Sequence, residues 1–277
     1  MIKNNYYIIT IHNKEDLIEK VLQGVYFSTK DSETNTHIIC VLDRCTDNSE
    51  NIIDNFIPTL PSNYIVHKLY EEDVHELLSL NSALRYIDSI EQDGESLIFF
   101  LQDDVVLEEE SLSELIEYLY EQESKLGYVS FRCGISTDID ASGVLYEHSF
   151  LESEYGHWKQ LDLNHFLEVE DKQFGICEIV IKSPTCIKKR ILDEVGHFDE
   201  KLAPFGHDDL DLCMRLNTAG YVNAIFGAKF TSKVDWGGTR EVKNQGKDYH
   251  KQYDRIVFRN KLYLTEKHKE YYASKRK

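Results

Sequence analysis

A chain of 277 residues with 42% hydrophobic content is long enough for one large core, or one core with an appendage, and carries no apolar run of membrane-spanning length. A formal net charge of −18 excludes general nucleic-acid binding. Six cysteines (Cys40, Cys45, Cys133, Cys177, Cys186, Cys213) lack CxxC spacing, and no signal-peptide cleavage pattern follows the first apolar run. Reduced thiols in a cytoplasmic protein are therefore expected, not disulfides or a zinc centre.

In chain order, residues 6–11 (YYIITI) read as a strand, and residues 14–26 as a helix with Leu17, Ile18, Val21, Leu22 and Val25 on one face. Residues 36–42 form a second buried strand, running into Asp43 and Asp47. Asp47 with Glu50 resembles a capping box for a helix carrying Ile52, Ile53 and Phe56, which Pro58 and Pro61 end. Residues 64–69 are a third strand, 74–90 a helix, and 97–101 (LIFFL) a strand apolar on both faces. Ser111-x-x-Glu114 opens another helix, and 128–133 is a further strand. This alternation predicts an α/β fold, a mostly parallel, open, Rossmann-like sheet with helices on both faces.

Residues 134–175 break the pattern. They are polar and aromatic, with Tyr146, His148, Tyr155, His157, Trp158 and His165, and read as an antiparallel excursion or lid whose histidines lack metal-ligand spacing. Residues 177–182 form a strand broken by Ser183-Pro184, and 188–195 a short helix closed by Gly196. Asp208-Asp209-Leu210-Asp211 opens a helix, 221–226 is a strand, 234–239 a glycine-bearing loop, and 246–268 a terminal helix. From Arg240 onward there are 12 Lys/Arg against 5 Asp/Glu. Such a basic tail suits either peripheral contact with anionic headgroups or simple solvation of a terminal helix. Its interleaving with Tyr and Leu favours the second.

Three acidic clusters fall at strand ends or helix starts: Asp43/Asp47, Asp103/Asp104 and Asp208/Asp209/Asp211. The first two follow strands of one presumed sheet, so they can converge on the edge where open α/β sheets bind ligands. Neither GxxxxGK[ST] nor GxGxxG occurs, so a bound diphosphate would need neutralising by Mg²⁺ or Mn²⁺ on carboxylates. Acids in a first helical turn stabilise the helix whatever else they do. Three in four residues exceed that need, and a carboxylate beside a bound hydroxyl can act as general base.

Taken together, ITIHNKEDLIEKVLQGV, VLDRCTDNSENIIDNF, LNSALRYI, FFLQDDVVL, VGHFDEKLAPFGHDDLDLCMRLNTAGY and RNKLYLTEKH resemble family 2 glycosyltransferases of the GT-A fold. The resemblance implies sugar transfer with inversion from a nucleotide-diphosphate donor, a UDP-sugar by the family's habit, to a glycan or glycolipid hydroxyl. It implies that His12, Glu15 and Asp43 touch the nucleotide. Gln102-Asp103-Asp104 matches the DxD motif, with Asp104 the metal ligand and Gln102 and Asp103 toward the ribose and metal shell. Asp208-Asp209 matches the acceptor-side acid pair, Asp209 being the base, and Arg215 an arginine one turn on. The chain departs from the family at Gln102, where Asp is usual, and at Asp235-Trp236, where a late metal-binding histidine is expected; Asp235 can replace it as a ligand for Mn²⁺ or Mg²⁺. Implied units are a GT-A domain over 1–240 (nucleotide half about 1–133, acceptor half about 134–240) and a basic helical tail over 241–277. The competing readings are a non-catalytic GT-A module that binds nucleotide or glycan, and a sugar-phosphate nucleotidyltransferase, which lacks its glycine-rich basic loop here.

Overall fold

The computed structural model describes residues 3–91, 93–131, 133–135, 137–139, 145–147, 152–153, 156–157, 172, 174–182, 184–233 and 247–275. The first half alternates as expected: β1 (Asn4–Ile11), α1 (Ile18–Thr29), β2 (Asn35–Asp43), α2 (Ser49–Phe56), β3 (Tyr64–Glu71), α3 (His75–Ile90), β4 (Leu97–Gln102), the two-residue β5 (Val106–Leu107), α4 (Leu112–Gln122) and β6 (Leu126–Ser130). The second half supplies α5 (Lys189–Val195), α6 (Asp208–Thr218), α7 (Lys247–Lys267) and α8 (Lys269–Lys275).

The main sheet has eight strands in the order Phe174–Cys177, Val222–Phe226, β6, Thr185–Lys188, β4, β1, β2, β3. β4, β1, β2 and β3 are mutually parallel, as are β6 and Val222–Phe226; Thr185–Lys188 and Phe174–Cys177 run antiparallel to their neighbours. β1 and β2 are buried almost throughout, which is why they read as uninterrupted apolar runs, whereas β3 at the edge is largely half-exposed. α1 buries Ile18, Val21, Leu22 and Val25, and α3 buries Leu77, Leu80, Leu84 and Ile87, both at helical spacing. Tyr7 stacks on Phe99 across β1 and β4 at 4.4 Å between ring centres.

Three expectations are corrected. Residues 177–182 are not one strand: the chain breaks at Glu178, so that Phe174–Cys177 joins the main sheet while Ile179–Ile181 pairs with Cys133–Ile135. The helix expected over 188–195 starts at Lys189, and Thr185–Lys188 before it is a central strand between β4 and β6. Its buried Lys188 is paired with Glu95 and Glu117, so a charged residue sits where apolar patterning looks for a hydrophobe. The capping box at Asp47 does not form. Asp47 accepts the amides of Ser49 and Glu15, while Glu50 turns to Lys68 at 2.8 Å and Tyr70 at 2.6 Å.

The tail is also more than a solvated helix. α7 buries Leu264 and Asn260, and α8 buries Tyr272, against the second half of the chain. Part of its positive charge is spent inside the fold, Lys267 on Asp199 and Asp211 and Arg259 on the carbonyl of Ala203. No described helix is long and apolar enough to cross a membrane.

At the far end of the sheet, His37 of β2 lies 3.0 Å from His67 of β3, which meets the Tyr86 hydroxyl at 2.9 Å, while Tyr6 packs on the His37 ring. Burial first, and the neighbouring His67 second, lower His37 to about 4. Because the folded value lies below the unfolded one, stability is complete above about pH 6.5 and is lost as pH falls toward 4. The expected loss is roughly 3–4 kcal/mol at about 1.4 kcal/mol per unit. Urea midpoints at pH 7, 5 and 4 should fall steeply in wild type and more shallowly in His37→Gln; equal slopes would remove His37 from the account.

Candidate active site

β1, β2 and β4 end at one edge of the sheet, with Thr10 opposite Gln102 and Ile11 opposite Leu42. The chain leaves β4 in a tight turn, Val105 N–H bonding to Gln102 carbonyl at 3.2 Å, so Asp103 and Asp104 occupy its two central positions. α1 lies so close behind that a Cβ on Gly24 would sit 2.7 Å from the Leu107 nitrogen. Only glycine permits that approach of α1 to β5, the strand that follows the acid turn. On the other side β5 pairs with Phe230–Thr231, the last described strand before residue 235. Asp235 and Trp236 themselves lie outside the described residues.

The two acids of the turn face different tasks. Asp103 accepts the His12 amide at 2.9 Å and lies 3.6 Å from the buried ammonium of Lys14. Burial pushes its carboxyl up to about 7; Lys14 and the His12 amide oppose that rise and the charge of Asp104 adds to it. Asp104 is buried beside it. Adjacent carboxylates, Asp104 buried and Asp103 largely so, are the hard oxygen donors that Mg²⁺ or Mn²⁺ takes, and a cation would offset the repulsion that Asp104 adds to the burial of Asp103. Among the described residues no three His, Cys, Asp or Glu side chains converge into a complete metal cluster. The acid turn thus fits a divalent cation that draws its remaining ligands from the substrate and from elsewhere in the chain.

The candidate nucleotide residues form a tied loop system. His12 Nδ1 donates to the Asp43 carbonyl at 2.6 Å. Asp43, 2% exposed, accepts the amides of Val74 and His75 at 2.9 and 2.8 Å, so it anchors the head of α3. Any contact with a base would use the second lone pair of each oxygen. Glu15 and Asp47 exchange bonds: Glu15 N–H to Asp47 at 2.9 Å, Asn48 N–H to Glu15 at 2.8 Å. This clasps the β1–α1 loop to the β2–α2 loop. Glu15 therefore has a loop-holding role that the sequence does not reveal.

α6 begins after His207 in a left-handed conformation (φ 69) preceded by Gly206 (φ 91). Asp208 and Asp209 in its first turn are both buried. Asp208 pairs with Lys182, and Asp209 Oδ1 accepts the Leu210 amide at 2.9 Å. Asp211 has a separate task. Fully buried, it accepts from Arg215 Nε at 2.8 Å, His268 Nε2 at 2.8 Å and Lys267 Nζ at 2.6 Å. Burial would raise its carboxyl, but His268, Arg215 and Lys267 outweigh that and hold it down at about 2. Arg215 spends its other nitrogens on the carbonyls of Val195, Gly196 and His197, closing α5. Asp211 and Arg215 thus hold the architecture around the pair.

The clusters meet through residues outside the three acidic clusters. Gln102 Nε2 donates to Glu76 at 2.9 Å, Glu76 lies 3.4 Å from Lys182, and Lys182 contacts Asp208. Asn260 of α7, with no exposed surface, donates to the carbonyls of Leu202, Phe205 and Gly206 and shapes the loop that delivers Asp208. The one sequence signal for Lys182 is a charge ending an apolar run, the same signal that marks Asp103.

Three solved structures share this architecture. The mannosyltransferase PcManGT from Pyrobaculum calidifontis, in complex with GDP-Man and Mn²⁺, superposes with TM-score 0.53 at 16% identity, over 80% of this chain and 54% of that one. GalNAc-T7 with UDP, GalNAc and Mn²⁺ gives TM-score 0.61 at 9% identity, over 84% and 44%. S. aureus TarS 1–349 in complex with UDP-GlcNAc gives 0.53 at 15%, over 84% and 58%. The chain therefore spans about half the length of these structures. No curated protein matches the sequence. At these identities the likeness establishes the fold, GT-A, a mostly parallel sheet flanked by helices. The family model for glycosyl transferase family 2 matches residues 6–166, more than half of the sequence, and the chain belongs to that family.

Proposed function

We propose that the chain is a metal-assisted inverting glycosyltransferase that moves a sugar from a nucleotide-diphosphate donor, a UDP-sugar, to a hydroxyl of a glycan or glycolipid. The observation that carries this reading is the linkage, at one sheet edge, of the Gln102–Asp103–Asp104 turn with the buried Asp208–Asp209 pair through Glu76 and Lys182. The structural neighbours crystallised with UDP, UDP-GlcNAc or GDP-Man and, in two cases, Mn²⁺ support the donor class. Asp104, with Asp103 and Asp235, would hold Mn²⁺ or Mg²⁺, whose charge would neutralise the departing diphosphate. His12, Glu15 and Asp43 hold the loops against which the nucleotide lies.

Asp209 takes the proton of the acceptor hydroxyl as its oxygen bonds to the anomeric carbon and the bond from that carbon to the diphosphate oxygen breaks. One displacement with one base inverts the anomeric centre. Burial of Asp208 and Asp209 excludes water from the base.

Thermal shifts with UDP and GDP, each with and without Mn²⁺, test the donor side. At 100-fold excess over Kd a ligand stabilises by about 2.7 kcal/mol. Metal-dependent stabilisation by one nucleotide, lost in Asp104→Asn, is the expected result. Equal stabilisation with and without Mn²⁺ would favour the non-catalytic module, the reading that Gln102 at the first DxD position supports.

A further inference from the structure

Lys182 is a buried cation among the acids of the site. Its ammonium contacts Asp208, lies 3.4 Å from Glu76, and sits 5.5 Å from the centre of the Phe198 ring. Glu76, in the first turn of α3, accepts from Gln102 at 2.9 Å. A continuous polar path thus runs from the end of β4 to the start of α6. It explains Gln102 locally. An aspartate there would set a second carboxylate against Glu76, whereas the amide supplies a donor.

The geometry points to Lys182 as a positioning residue for the base: steered by Glu76 and Gln102, it holds Asp208 from behind, so that the first turn of α6 stays fixed and its two adjacent carboxylates stay charged together. The inference rests on the transferase reading for its catalytic meaning. The physical need is plain. Two neighbouring carboxylates removed from water repel, and without a cation in contact one of them takes a proton. Among the described residues, groups facing the pair include Glu76 from α3, Lys182, Tyr128 from β6 and Cys213 from α6. Burial drives the Tyr128 hydroxyl and the Cys213 thiol well above their ordinary values, so both are neutral. Lys182 brings a positive charge into contact with Asp208. Burial would lower it, but Asp208, Glu76 and Asp209 outweigh that and keep the ammonium protonated.

The test uses the full chain, with Lys182→Met removing the charge and Lys182→Arg keeping it. Carboxyl ¹³C resonances of Asp208 and Asp209, assigned with Asp208→Asn, are titrated without substrate. In folded Lys182→Met one of the pair is expected to titrate at least about one pH unit higher than in wild type, with Lys182→Arg close to wild type. In turnover assays the acid limb of kcat/KM should move up by a similar interval. At pH 7 kcat should fall about tenfold or more, with the UDP-sugar KM held within about threefold. Unchanged carboxyl titration in folded Lys182→Met overturns the inference. If Lys182→Met does not fold, a raised carboxyl in Lys182→Arg overturns it and a wild-type one supports it. If wild type turns over no sugar nucleotide, the transferase reading fails while the carboxyl titration still decides the role of Lys182.

Discussion

Replacing Asp209 with asparagine is expected to lower kcat by about 10²–10⁴-fold, the usual worth of a positioned general base. Asparagine keeps the size of the side chain and an oxygen for the Leu210 amide that Asp209 now accepts at 2.9 Å. The first turn of α6 should therefore keep its shape, and the acid turn at Asp103–Asp104, on a different element, should be unaffected. The expected signature is a large fall in kcat with the donor KM and the Mn²⁺-dependent binding of UDP essentially unchanged. Initial rates over a matrix of donor and acceptor concentrations separate these quantities, and NMR of the wild-type product reads its anomeric configuration. Wild-type turnover by Asp209→Asn would remove it as the base. Retention of configuration would remove the single-displacement mechanism altogether.

Asp211→Ala is expected to cost about 3–5 kcal/mol of stability, the range for breaking a buried ion cluster. The carboxylate has no exposed surface and serves Arg215, Lys267 and His268 at once. Its removal leaves three donors facing one another and loosens α7 from α6. The same cluster predicts a pH dependence. The folded carboxyl is held at about 2, below the ordinary 3.8, so its contribution is complete above about pH 4 and disappears as pH falls through 2. At about 1.4 kcal/mol per unit this is roughly 2–3 kcal/mol. The window lies below the one set by His37, so guanidinium midpoints between pH 4 and 2 isolate it. Asp211→Asn should start lower and decline less across that interval. A decline as steep as wild type would mean that other carboxylates carry the acid sensitivity.

Most of the sheet was legible because its signals are local. Runs such as Tyr6 to Ile11 and Leu97 to Leu101 are buried on both faces and contain little but apolar residues. The acid positions were legible for the same reason, since charges that end such runs stand out. What the sequence hid depends on partners distant along the chain. Thr185–Lys188 is a central strand because β4 and β6 leave a gap for it, and Lys188 is tolerated there because Glu95 and Glu117 reach it. Asp43, Glu15 and Arg215 stand at motif positions, yet much of their bonding capacity goes to holding loops and helix ends, which spacing cannot show. Glu76 and Lys182 lie outside every quoted stretch, Asn260 lies inside RNKLYLTEKH with nothing to mark its role, and all three acquire their roles only when α3, α6 and α7 meet. Asp235 and Trp236, singled out by the family comparison, lie beyond what the structure describes.

Asn260 also sets an order of events. Its bonds to Leu202, Phe205 and Gly206 reach back 58, 55 and 54 positions, and His268 reaches back 57 to Asp211. On the ribosome β1, β2 and β3 can pair in succession as they emerge, and β4 joins β1 from 92 positions further on. The loop before Asp208 must wait for α7. A nascent protein halted before residue 260 carries a finished strand edge facing an unfinished acid pair, so the two halves of the site are completed at different moments of synthesis.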